Sequence, residues 1–224
     1  MSESALVAGV GPGLGLSLAR AFAAEGLRVA LLARDAARLH ALTGGDPALL
    51  PLACDVTMPE QVTAAVAQVE RDFGPLAVAV FNAGAFASGG VLETTPADFE
   101  RCWRVGAFAG FLVGQAAARV MLPRGKGTLL FTGATASLRG SARFANLASP
   151  KFALRALAQS MARELGPQGL HVAHVIIDGQ IGPAGGPDTR LDPDAIAALY
   201  VALHRQPRSA WTHEADLRPW SEKF

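Results

Sequence analysis

Gly9, Gly11, Gly13 and Gly15 place four glycines in seven consecutive positions. They lie between a short apolar run, Ala5-Leu6-Val7-Ala8, and a segment where Leu14, Leu18 and Phe22 recur at helical spacing. The chemistry open to such a turn is anion binding. A strand turning sharply into a helix needs positive φ angles, and a pyrophosphate approaches the backbone only where no Cβ intervenes. The N–H groups freed at the helix start and the positive end of its dipole then face the anion. The same turn would also serve as a tight connection with no ligand; the preceding strand and the extra glycine favour a nucleotide. Arg34, directly after the run Arg28–Ala33, can form a bidentate, charge-assisted pair with a phosphate, and Arg38 follows one helical turn on.

Other chemistries find no support in the spacing. No pair of His, Cys, Asp or Glu has metal-ligand spacing, and neither a G-x-S-x-G elbow nor a G-K-[ST] phosphate loop occurs. Cys54 and Cys102 are too few for a disulfide framework and read as small buried residues. His171 and His174 flank or lie in an apolar run and read as structural or exposed.

The elements that must carry these residues alternate regularly. Apolar strand-length runs occur at Arg28–Ala33, Leu49–Ala53, Leu76–Phe81, Gly127–Thr132 and Leu170–Ile177. Between them lie helical patterns: one opened by Asp35, and one after Thr57-Met58-Pro59-Glu60, a capping box followed by Val62, Val66, Val69 and Phe73. A long helix starts at Thr95-Pro96 and runs towards Met121, and another carries Phe152, Leu157, Met161 and Leu165. Strands without polar alternation, each followed by a helix, imply a parallel sheet covered on both faces. The expected fold is a single doubly wound, Rossmann-type α/β domain over residues 1–224, with ligands beyond the carboxyl ends of the strands. Residues 179–224 break the rhythm: a Gly/Pro-rich loop, a helix opened by Asp192-Pro193, and a closing edge strand within Ala210–Leu217.

Composition sets the bounds. Half of the 224 residues are hydrophobic, which rules out disorder, and the chain suits one well-buried sheet. No run of about twenty apolar residues is free of turn formers, so no membrane span is expected. The first strand begins almost at Met1, leaving no room for a signal peptide. A net charge of +1 with scattered Lys and Arg points to neither nucleic acid nor an anionic membrane. A reducing, cytoplasmic setting is the expectation.

The spacing Gly9-x-x-x-Gly13-x-Gly15 differs from G-x-G-x-x-G. It resembles the short-chain dehydrogenase/reductase pattern T-G-x-x-x-G-x-G, with Ala8 at the Thr position. The resemblance covers roughly residues 5 to 185. It implies that Gly9, Gly11, Gly13, Leu14 and Gly15 hold a nicotinamide dinucleotide, and that Asp55 and Val56 meet its adenine. Asn82-Ala83-Gly84 matches the last three letters of N-N-A-G, with Phe81 at the first; Asn82 is also expected to make local hydrogen bonds at a strand end. Asp178-Gly179 stands where the family often has Pro-Gly, which implies Ile181 as the contact to the nicotinamide amide. An acid at the end of the second strand would accept both ribose hydroxyls and repel a 2′-phosphate. Ala33 removes that acid and Arg34 supplies a cation, so NADP(H) is favoured over NAD(H).

Carbonyl-reducing members of this family use an Asn, a Ser, a Tyr and a Lys, the last two as Y-x-x-x-K. Here that stretch reads Leu147-Ala148-Ser149-Pro150-Lys151, the Ser position falls on Ala134 and the Asn position on Gly106. Only Lys151 remains. A general acid contributes about 10²–10⁴ in rate and an oxyanion donor about 10²–10³. Thr135, beside Ala134, is the better substitute on paper. Ser149 is displaced from Leu147 by about 200° around a helix. Pro150 either sits inside the helix, at a cost of about 3 kcal/mol, or follows Ser149 as N-cap at the start of a shortened one. Two functions follow: an NADP(H)-dependent oxidoreductase with an atypical active site acting on an unknown small molecule, or a catalytically impaired NADP(H)-binding module serving as sensor or assembly partner. The resemblance further implies a homodimer or homotetramer, built on Phe108, Phe111, Leu112 and Val113 of one helix with Phe152, Leu154 and Leu157 of another.

Overall fold

The computed structural model describes residues 3–222. Seven strands, β1 (Ser4–Ala8), β2 (Arg28–Ala33), β3 (Leu49–Ala53), β4 (Leu76–Phe81), β5 (Gly127–Thr132), β6 (Leu170–Ile177) and β7 (Glu214–Leu217), form one sheet in the order β3-β2-β1-β4-β5-β6-β7. Every neighbouring pair is parallel. The order reverses between β1 and β4, where the chain crosses back over the sheet and its connections diverge. A crevice opens at such a switch point.

Helices cover both faces because the strands are apolar on both. Leu6 and Ala8 of β1 face one core with α3 (Pro59–Asp72), α5 (Ala109–Met121) and α6 (Ala145–Leu165). Ala5 and Val7 face the other, with α1 (Leu14–Ala24), α2 (Ala36–Thr43) and α7 (Pro193–His204). Fully buried Leu and Phe side chains such as Leu18, Phe22, Phe81 and Phe131 each stabilise the sandwich by about 1.5–3 kcal/mol. The expected single doubly wound domain is what forms.

Local signals hold at most helix starts and fail at one. Asp35 caps α2 by accepting from the Arg38 N–H, and Thr95 caps α4 (Pro96–Trp103) by accepting from Asp98. The capping box at Thr57 does not form: Met58 is the N-cap of α3 and no side chain caps it. The Thr57 hydroxyl donates to Asp55 Oδ1 at 2.8 Å instead. The Thr57 N–H, which the box would direct to Glu60, also goes to Asp55 Oδ1, at 2.9 Å.

Between α4 and α5 runs a π-helical segment, Arg104–Phe108, so Pro96–Arg124 is one continuous 29-residue helix. By length and composition alone it could cross a membrane; in this fold it packs on β4, β5 and α3, and over half of its most apolar stretch is buried. Helix α6 settles the alternatives for Pro150: it starts at Ala145, and Pro150 lies inside it.

At α6, four residues close a polar ring. Arg155 donates to both Glu214 oxygens at 2.7 and 2.6 Å, and its Nη1 reaches the Ser137 carbonyl at 3.5 Å. His174 lies 3.4 Å from Glu214 through Nδ1 and 3.4 Å from Ser137 Oγ through Nε2. The ring ties the closing strand β7 to the loop after β5. Both central histidines are structural: His171 and His174 are buried.

Burial holds His174 well below its usual pKa, against the pull of Glu214 and with the charges of Lys151 and Arg155 pushing the same way as burial. The unfolded chain therefore takes up a proton below about pH 6.5 that the folded chain refuses, and stability falls as the pH drops, by up to about 1.4 kcal/mol per unit. In urea unfolding, wild type should lose about 1.5 kcal/mol more than His174→Gln between pH 6.5 and 5. Parallel losses in the two proteins would contradict this assignment.

Candidate active site

The turn from β1 into α1 is held from below. Gly9 has φ +92°, and a Cβ there would stand 2.5 Å from the Cα and N of Ala83. Asn82 donates through Nδ2 to the Gly9 carbonyl at 2.9 Å, while its own N–H donates to Ala8 at 2.8 Å. The local hydrogen bonding expected of Asn82 is thus its visible role. A Cβ on Gly15 would meet the Gly9 carbonyl oxygen at 2.7 Å, so the helix start packs directly on the turn. Around Gly11 and Gly13 an added Cβ meets nothing within 4 Å. Among these four glycines only Gly9 adopts the left-handed φ that the sequence suggested for the whole turn. The close approach of backbone segments accounts for Gly15, and open space borders the other two. Gly13 is the N-cap of α1 with no side-chain cap; the Leu16 N–H turns back to the Gly13 and Gly11 carbonyls at 3.0 and 3.2 Å, leaving those of Leu14 and Gly15 without a partner inside the helix.

Beside the turn lies a cavity of about 650 Å³ at the switch point, bordered by Gly9, Gly11, Arg34, Asp55, Val56 and Asn82 to Gly84. Asp55 accepts from the Thr57 N–H at 2.9 Å and its hydroxyl at 2.8 Å. These bonds, the N–H first, hold its carboxyl below the usual range, and the charges of Arg34 and Arg104 add to the effect. Arg104, from the π-helical segment, also borders this cavity, whereas Arg38 does not. Arg104 is not among the residues expected from the sequence. Its signal was a cation two residues before Gly106; Arg101, three residues earlier, borders the cavity as well. Among the described residues neither Arg34 nor Arg104 has an ion-pair partner, while the neighbouring Arg101 is paired with Asp98 at 3.0 Å.

The remaining candidate residues lie around the carboxyl ends of β5 and β6. Lys151 on α6 is 7% exposed and donates to the Thr132 carbonyl at 2.7 Å; burial brings its pKa down to about 8. Leu147, one turn earlier and half-buried, shares its helix face. Ala134 follows β5 and is also half-buried. The Thr135 hydroxyl donates to Asp178 Oδ1 at 2.5 Å, and Asp178 lies 3.2 Å from Arg218. Ile181 is 39% exposed in the loop after β6, bridged to Leu191. Tyr200, the chain's one tyrosine, lies on α7 across the sheet, fully buried against Thr132 Oγ1 at 2.8 Å, and burial raises its pKa. A Cβ on Gly106 would stand 2.9 Å from Pro150 Cβ. The Gly and the Pro are therefore one feature: Pro150 fills the space a side chain at 106 would need. Among the described residues no group of three or more His, Cys, Asp or Glu is placed to hold a metal ion.

Known proteins agree with this architecture. The chain is similar to the 3-oxoacyl-(acyl-carrier-protein) reductase MabA of Mycobacterium tuberculosis, 33% identical over 181 residues that cover 81% of this chain and 70% of that one. It is similar to the crystal structure of a short-chain dehydrogenase from Rhodopseudomonas palustris, with 40% identity, a TM-score of 0.88, and 97% of this chain and 99% of that one covered. A metagenomic short-chain oxidoreductase solved in complex with NADP gives 25% identity and a TM-score of 0.83, with 97% of each chain covered. The sequence model described as short chain dehydrogenase matches residues 3–180. With the strand order, the glycine turn and these likenesses in agreement, the chain belongs to the short-chain dehydrogenase family.

Proposed function

We propose that this chain binds a nicotinamide dinucleotide, NADP(H) before NAD(H), and is an oxidoreductase whose active site departs from the family's usual one. The observation that carries the reading is the cavity at the switch point, bordered by Arg34 and Arg104, which have no ion-pair partner among the described residues, and by Ala33 where an acid would stand. Its residues fit the group. Gly11, Gly13 and Leu14 at the open start of α1 would hold the diphosphate, with Gly9 and Gly15 shaping the turn. Asp55 and Val56 would meet the adenine, Asn82, Ala83 and Gly84 would floor the cleft, and Arg34 with Arg104 would clasp a 2′-phosphate. Lys151 and Ile181 would take the nicotinamide half. The NADP-bound relative supports the same choice. When bound, the nicotinamide supplies a hydride donor or acceptor.

The chain's own residues supply little for an ordinary carbonyl. Leu147, Ala134 and Gly106 offer neither proton nor oxyanion donor, and Thr135 has its proton directed at Asp178. Thr135 serves as donor only if that bond opens; Lys151 is the retained cation. These same positions favour a second reading, a cofactor-binding module without turnover that acts as sensor or assembly partner. Nucleic acid and membrane are not among the partners we infer, and a cytoplasmic setting suits the reading.

The cofactor choice is tested by calorimetry on the two arginines. Arg34→Ala and Arg104→Ala should each weaken NADPH binding about tenfold or more, the worth of one charge-assisted bond, and leave NADH within about twofold. Equal losses for both cofactors would remove the 2′-phosphate from the account.

We also propose assembly through the exposed aromatic residues of the two long helices, Trp103, Phe111 and Phe152, at 42, 41 and 43% exposure. Three of the residues the sequence suggested for this surface, Leu112, Val113 and Leu154, belong to the core, because they sit on the sheet-facing side of their helices. Light scattering at micromolar concentration should give a dimer or tetramer, and Phe111→Ser with Phe152→Ser should give the monomer. A monomeric wild type would overturn this.

A further inference from the structure

The cofactor reading above leaves the substrate open, and two features of the cleft narrow it. We propose that the substrate is a flat, conjugated electrophile of the quinone class, seated against the exposed pair Phe86 and Phe144. The proposal rests on NADP(H) being the reductant.

The first feature is the absence of a proton donor at Leu147, Ala134 and Gly106, with the Thr135 proton directed at Asp178 and Tyr200 sealed across the sheet. A simple ketone that accepts hydride becomes an alkoxide, about as basic as hydroxide, whose conjugate acid has a pKa near 16. It must be protonated or held by donors as it forms. A quinone becomes a hydroquinone monoanion, a phenolate with a pKa near 10, about six units less basic. Its formation requires no acid in the same step. Hydride, carrying two electrons, would leave the dihydronicotinamide, whose C–H bond breaks as it becomes the oxidised cation; the hydride bonds to one carbonyl oxygen of the quinone, the ring becomes aromatic, the displaced electron pair comes to rest on the other oxygen as the monoanion, and water then supplies the proton.

The second feature is aromatic. Phe86 and Phe144 stack with centroids 5.3 Å apart and planes 16° from parallel, yet they remain 46 and 41% exposed. The pair joins the loop after β4 to the segment that opens α6. Phe86 follows Gly84 and Ala85, which border the cavity, and Phe144 stands one turn before Leu147, whose N–H donates to its carbonyl at 3.0 Å. The two segments are pinned to each other by the Asn146 Nδ2 bond to the Ala87 carbonyl at 2.5 Å and by Arg143 to Glu93 at 3.3 Å. Such a pair offers a planar ligand an offset-stacking face. The charges suit an anionic product: the positive end of α6 and Lys151 are on this side, while Glu93 and Asp178 are each already paired with an arginine.

The test separates binding from turnover. With NADP⁺ present, so that no reduction occurs, 1,4-naphthoquinone should bind wild type by calorimetry, and Phe144→Leu, alone and with Phe86→Leu, should weaken it about tenfold with unchanged NADP⁺ affinity. With NADPH, kcat/KM for naphthoquinone should exceed that for 1-tetralone by about 10³, the scale of a missing acid, after subtraction of the uncatalysed rates. Loss of NADP⁺ affinity in the double variant would mark misfolding, and Phe144→Leu alone then decides. No quinone binding, binding indifferent to Phe144, or comparable turnover of the ketone would each overturn the proposal while leaving the cofactor reading intact. Failure to bind NADP(H) at all would overturn both.

Discussion

Ala134→Ser combined with Leu147→Tyr should raise the reduction of simple aldehydes and ketones by about 10²–10⁴ over wild type. The expectation rests on the continuity of α6. Because the helix begins at Ala145, position 147 lies within it and shares a face with Lys151, so a phenol there would stand one turn from a cation able to lower its pKa. Pro150 does not displace the helix start; its ring is turned towards Gly106 instead. The missing amide cannot be restored in the same way. Gly106→Asn alone would drive its Cβ to within 2.9 Å of Pro150 Cβ, and should be tolerated only together with Pro150→Ala. Kinetics with a reactive aldehyde check the double variant. Robust wild-type turnover of simple carbonyls would contradict the assignment and direct attention to Thr135.

Gly9→Ala should destabilise the fold by about 3–5 kcal/mol, whereas Gly11→Ala should leave stability nearly unchanged and abolish measurable NADPH binding. At Gly9 the φ of +92° costs an L-residue about 1–2 kcal/mol, and the Cβ meets backbone atoms of Ala83 at 2.5 Å. That backbone cannot retreat easily, because Asn82 beside it is bonded to both Ala8 and Gly9. At Gly11 nothing lies within 4 Å, so a methyl costs the apo fold little but would stand where an anion meets the turn. Chemical denaturation and calorimetry on the two variants separate these roles. Equal stability losses, or undiminished NADPH binding in Gly11→Ala, would contradict the division.

The strands were legible because each is an unbroken apolar run buried on both sides; β2 to β6 have the bounds read from sequence. Helix starts were legible where the cap depended on residues a few positions away, as at Asp35 and Thr95. Thr57 defeated the same rule because Asp55, two residues back, takes the N–H that the box would have given to Glu60. What stayed hidden was contact between distant segments. Gly106 and Pro150 are separate oddities in the sequence and a single packed contact in the fold. Arg104 gains meaning only when the helix brings it to the cavity that Arg34 borders. Apolar helix residues such as Leu112 and Leu154 could not be divided between core and surface without knowing which side of each helix meets the sheet.

The switch-point cavity, with Arg34 and Arg104 on its border, is proposed to receive the adenosine 2′-phosphate of NADP(H). Calorimetric titration of the wild-type chain with NADPH and, separately, with NADH tests it most directly. Saturable binding of NADPH, about tenfold or more tighter than NADH, is the result expected. Equal affinities, or no binding of either, would contradict it.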